Sequence, residues 1–154
     1  MTMRELRTYI QMGVVAGLLS MAAACSGVET SSTTKTVSLY DRLGQKPAIT
    51  AVVDEFVGNV AKDDRINSRF ATTDIPRLKG HLVDQVCMAT GGPCDYTGRD
   101  MVTTHKGMRI SNADFNAIVE DLVAALNTFK VPDAEQKELL GLLGPMKPDI
   151  VEIP

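Results

Sequence analysis

The sequence predicts an all-α domain, on three observations. Apolar residues recur at helical spacing. Leu78, Leu82 and Val86 form one i, i+4, i+8 stripe, and Phe115, Ile118, Val119, Leu122, Val123, Leu126 and Phe129 trace a longer one. Helix-start chemistry stands where these stripes begin: Asp74 with Pro76 before the first, and Ser111 with Asp114 before the second. No segment shows the apolar–polar alternation of a half-buried strand.

In chain order, Ser38 to Leu43 predicts one helical turn stopped by Gly44. Pro47 suits the first turn of a helix whose apolar face is Ile49, Val52, Val53, Phe56, Val57 and Val60. Asp63 to Phe70 predicts a short polar helix or turn. The helix capped by Asp74 ends at Gly91-Gly92-Pro93, and residues 95–100 predict a loop. Met101 to Lys106 is a short helix closed by Gly107. The long helix after Ser111 follows, and Pro132 opens a last one through Leu139, Leu140, Leu142 and Leu143, which Pro145 should kink or end.

The chain before this domain predicts export. Arg4 and Arg7 precede an apolar stretch from Met12 to Ala24, too short to span a bilayer but suited to a secretory signal peptide. It ends in Ala22-Ala23-Ala24-Cys25, which resembles a bacterial lipobox with Ala22 where leucine is usual. Two outcomes fit: lipidation of Cys25, which would tether the protein to a membrane from the periplasmic side, or plain cleavage after Ala24. The expected organisation is a signal peptide over 1–24, a lipidated cysteine and flexible Ser/Thr-rich tether over 25–36, and a folded domain over 37–154.

Sixteen basic and 19 acidic residues give a net charge of −3, and removing Arg4, Glu5 and Arg7 with the signal makes it −4. There is no basic excess to neutralise phosphates, so nucleic acid is not an expected partner. An oxidising compartment favours a disulfide between Cys87 and Cys94, worth about 2.5 kcal/mol across so short a loop. The alternative is a buried Cys87 thiol and an exposed Cys94.

The whole chain holds two histidines, His81 and His105. No G-x-S-x-G elbow, H-E-x-x-H zinc motif, C-x-x-C pair, C-x-x-C-H haem attachment or G-x-G-x-x-G loop occurs. His105 has Met101 four residues before it, Val102 three before it and Met108 three after it. A neutral imidazole in such an apolar wall suits a haem iron, though taken alone a histidine on such a face is more often a satisfied core residue.

From Leu39 onward the chain resembles a group I truncated haemoglobin. The matching pieces are Ser38-Leu39-Tyr40-Asp41-Arg42-Leu43-Gly44, Val53-Asp54-Glu55-Phe56, Arg77-Leu78-Lys79-Gly80, Gly91-Gly92-Pro93, Tyr96-Thr97-Gly98, Met101 before His105, and Val131-Pro132. They run in order over about 115 residues. The resemblance implies a shortened globin with helices two-over-two around a non-covalent haem b. It carries His105 over as the proximal iron ligand, Phe70 as a residue packing on the haem and Met101 as a proximal contact. Leu78 and Leu82 then fall on the distal face.

Two departures bear on function. Many relatives have a tyrosine directly after the phenylalanine matched by Phe56, where this chain has Val57, and often glutamines where it has Leu78 and Leu82. Losing those donors should weaken oxygen retention by about 1–3 kcal/mol. In some relatives a histidine at the place of His81 binds the iron directly, which here would give bis-histidine haem. His81 flanks the apolar stripe, so solvent exposure or a haem propionate contact also fits it. Arg77, Lys79, Lys106 and Arg109 are weaker propionate candidates. The implied function is reversible binding of oxygen, nitric oxide or carbon monoxide. The alternatives are a redox or nitric-oxide-consuming haem protein with an electron donor, and a module that kept the fold without the cofactor.

Overall fold

The computed structural model describes residues 37–153. The expected signal segment, Cys25 and the tether to Thr36 lie outside the described residues. Ser38 caps α1 (Leu39–Arg42), its Oγ accepting from the Asp41 amide at 3.1 Å. Gly44, at φ 88°, turns the chain into α2 (Gln45–Val60), which carries Pro47 in its first turn. A 3-10 turn, Asn67–Phe70, leads to α3 (Ile75–Ala89). Asp74 caps α3 by accepting from the Arg77 amide.

The chain leaves α3 through Gly91 and Gly92. A Cβ on Gly92 would lie 2.5 Å from the Tyr40 ring and 2.7 Å from the Cys87 sulfur, so only glycine lets the backbone pass this close. Cys87, fully buried, is bridged to Cys94 with their Cα atoms 5.8 Å apart. The expected disulfide therefore ties the end of α3 to the loop that leads to α4 (Met101–His105).

α5 (Asn112–Thr128) begins with both halves of a capping box: Ser111 accepts from the Asp114 amide, and Asp114 accepts from the Ser111 amide. α6 (Asp133–Leu143) follows Pro132. The expected break at Pro145 takes the form of a 3-10 turn, Gly144–Met146. A further short helix, α7 (Lys147–Ile150), follows with Pro148 in its first turn. The sequence did not announce α7, because a proline that ends one helix is equally at home near the start of the next.

α2 is the centre of the packing. Its buried Ile49, Val53, Phe56, Val57 and Val60 meet Val83 and Cys87 of α3 and Ala117 and Ala125 of α5. Burying each larger aliphatic side chain stabilises the fold by roughly 1.5–3 kcal/mol. Leu39, Leu126 and Leu139 form a second cluster that joins α1, α5 and α6. The result is two helices, α2 and α3, set with two others, α5 and α6. Among the described residues the only β pairing is an isolated bridge between Ser111 and Ile153.

Candidate functional site

One cavity of about 230 Å³ opens between α2, α3, α4 and α5. α2 contributes Phe56, Val57 and Val60, and Ala61 follows directly after it. Phe70 comes from the 3-10 turn, Ile75, Leu78 and Leu82 from α3, His105 from α4 and Ile118 from α5. Leu78 and Leu82 stand one helical turn apart, which is why the sequence stripe reached this wall. Every lining side chain except His105 is apolar.

His105 is half-buried and is the last residue of α4. Its Nδ1 lies 2.9 Å from the carbonyl oxygen of Met101. A carbonyl can only accept, so Nδ1 carries a proton, and Nε2 is the nitrogen left to face a metal. An imidazole oriented in this way is a competent metal ligand, because the bond at one nitrogen fixes both tautomer and ring direction at the other. α4 is short, and Asp100 holds its start by accepting from the Thr103 amide and hydroxyl, both at 2.8 Å.

Four of the six residues singled out in the sequence meet in the cavity: Phe70, Leu78, Leu82 and His105. Met101 and His81 are not among the residues that line it. Met101 serves the site through its backbone carbonyl, while its thioether sulfur sits 3.9 Å from Nε2 of Gln85. His81 is half-buried beside the cavity wall. Arg77 Nε donates to its Nε2 at 3.4 Å, and its ring meets that of Tyr96 edge-on at 6.0 Å. Of the basic residues near the histidines, Lys79 is paired with Asp54 of α2 at 2.8 Å. The sequence reading did not assign Phe56, Ile75 or Ile118 to the site. Phe56 and Ile118 sat in apolar stripes with nothing to separate cavity wall from core, and Ile75 lay outside any stripe.

An all-α fold of two helical pairs, with a sizeable apolar cavity reached by a single histidine oriented through its Nδ1, defines a haem-pocket architecture of the globin kind. The chain belongs to the bacterial-like globin family, whose model matches residues 38–152, and within it to the group 1 truncated haemoglobins. It is 36% identical over 113 residues to the group 1 truncated hemoglobin of Mycolicibacterium paratuberculosis, covering 73% of this chain and 83% of that protein. Identity to the Tetrahymena pyriformis group 1 truncated hemoglobin is 33% over 117 residues, covering 76% and 97%. The crystal structure of that Tetrahymena protein in its Fe(III) form superposes with a TM-score of 0.72, covering 75% of this chain and 98% of that one. The 2/2 hemoglobin of Synechococcus sp. PCC 7002, in the cyanomet state with covalently attached heme, superposes with a TM-score of 0.71 at 30% identity, again covering 75% and 98%.

Proposed function

We propose that this chain holds haem b non-covalently through His105 and reversibly binds a small gaseous ligand such as oxygen, nitric oxide or carbon monoxide. The observation that carries it is the His105 ring, with its Nε2 left to face a metal by the bond from Nδ1 to Met101, in an otherwise apolar cavity. The residues fit the group: apolar walls suit a porphyrin face, and an unhydrated imidazole suits its iron. Haem, when bound, supplies the coordination position at which a diatomic gas is held.

The chain's own residues do the rest. His105 supplies the nitrogen ligand. The apolar side chains of Phe56, Phe70 and Ile118 offer water no hydrogen-bond partner in the cavity. Val57, Leu78 and Leu82 present no hydrogen-bond donor to a ligand there. Such a wall favours fast release of oxygen over tight retention, and gives little support to chemistry that needs oxygen held and polarised.

Titrating haem into the haem-free protein tests the assignment. A strong Soret band is expected in the wild type, and in His105→Ala a loss of haem affinity of more than about a hundredfold. Equal haem uptake by the two proteins sinks the role of His105.

We also propose that the protein is exported and anchored through lipid on Cys25. The Cys87–Cys94 bridge supports an oxidising compartment. Mass spectrometry of the membrane-associated protein should find diacylglycerol on Cys25. An unmodified chain starting at that residue would show plain signal cleavage instead.

A further inference from the structure

His105 is carried by a helix of only five residues. One turn of helix has no stability of its own, because nucleation fixes more dihedral angles than its few hydrogen bonds offset. The direction of the imidazole therefore depends on what ties the two ends of α4. Asp100 ties the first end. The second end is more demanding. The backbone leaves the helix at Lys106, then passes through left-handed conformations at Gly107 (φ 81°) and at Arg109 (φ 53°), the latter unfavourable for a side-chain-bearing residue.

Two side chains distant in sequence hold this turn: Arg69 donates to the Met108 carbonyl at 2.8 Å, and Glu152 takes the amides on either side of it. Glu152 Oε1 accepts from the Gly107 amide at 2.6 Å, and Oε2 accepts from the Arg109 amide at 2.5 Å. The main chain around it is stitched to the same loop. The amides of Glu152 and Ile153 donate to the Ile110 carbonyl at 2.9 and 3.0 Å, and the Asn112 amide donates to the Ile153 carbonyl at 3.3 Å. α7, just before this segment, packs against α4. The two backbone bonds also hold the Glu152 carboxyl below the usual range, so it is ionised wherever the protein is folded near neutrality.

We infer that Glu152 is a positioning residue for the proximal ligand: by clamping the Gly107 and Arg109 amides it fixes the exit of α4, and with it the direction in which His105 presents Nε2. The inference rests on the reading that His105 ligates haem. Glu152 itself touches neither the cavity nor the ligand position.

The test compares wild type, Glu152→Gln and Glu152→Ala, full chain, by three measurements. Amide hydrogen exchange at Gly107 and Arg109 is followed in the haem-free protein. Haem loss to an excess of scavenging apo-globin, and the iron–histidine stretch in resonance Raman spectra, are followed in the loaded protein. In Glu152→Ala, faster exchange, haem loss accelerated about tenfold and a shifted or broadened iron–histidine band are expected. Glu152→Gln, which keeps one carbonyl acceptor, should fall between. Fast exchange with unchanged haem loss and an unchanged band would show that Glu152 caps a loop and nothing more. Unchanged exchange overturns the clamp itself. A wild type that takes up no haem fails differently, removing the proximal reading of His105 and this inference with it.

Discussion

The guanidinium Nε of Arg77 lies 3.4 Å from Nε2 of His81, one turn along the same helix. That nitrogen is the one His81 would offer to an iron, so Arg77 and a metal compete for a single lone pair. An exposed bond of this length is worth about 0.5–1 kcal/mol, or a two- to fivefold bias. Where His81 ligates the iron, Arg77→Ala should raise the ratio of low-spin, six-coordinate to high-spin, five-coordinate haem in the reduced protein by about that factor, and His81→Ala should abolish the low-spin form. Absorption spectra with high-spin bands in wild type, Arg77→Ala and His81→Ala alike would reject bis-histidine haem.

Val57 is buried and lines the cavity at the place where many relatives carry a tyrosine. Val57→Tyr puts a phenol donor into a cavity of about 230 Å³. Oxygen release measured by stopped flow should slow by about tenfold, the equivalent of one hydrogen bond of about 1.4 kcal/mol. An unchanged release rate, with the variant folded and haem-loaded, would mean that Val57 does not face the bound ligand.

Asp114 closes the capping box of α5 and pairs with Arg69, which also donates to the Met108 carbonyl at 2.8 Å. The Ser111 amide and hydroxyl, and then Arg69, hold its carboxyl below the usual range. A depressed folded value means the unfolded chain takes up the proton first. The contribution to stability is thus present above the ordinary aspartate range and lost as pH falls through the depressed value. Asp114→Ala should cost about 1–2 kcal/mol in urea melts at pH 7, and the two proteins should converge in strong acid. A gap that stays constant with pH would show that the charge is not what stabilises the cap.

Asp121 has the opposite sign. One of its carboxylate oxygens is buried with no hydrogen-bond partner among the described residues. Burial first, then Asp63, pushes its carboxyl up. With the folded value raised, the folded state holds the proton more tightly, so stability falls as pH rises through the ordinary aspartate range up to the raised value. Asp121→Asn should therefore raise Tm by a few degrees at pH 7 and leave it unchanged in acid below that range. A lower Tm at pH 7 would reveal a favourable partner for the ionised group.

The helices were legible in the sequence because their signals are local. Ser38, Asp74 and Ser111 each hydrogen-bond an amide three residues on, and the stripes through α2, α3 and α5 repeat at the period of a single helix. Leu78 and Leu82 were legible for the same reason, whereas Phe70 came only from the ordered family resemblance, which also raised His105 above a lone core histidine. Tertiary structure alone decided the rest. It set Phe56 and Ile118 to face a cavity, Met101 to act through its carbonyl, and His81 to sit off the wall with Arg77 and Tyr96. It also brought Glu152 back to the exit of α4, across 45 residues. A helical period says which face is apolar. It does not say whether that face meets another helix or an open cavity. A five-residue helix has no direction of its own until distant groups hold both its ends.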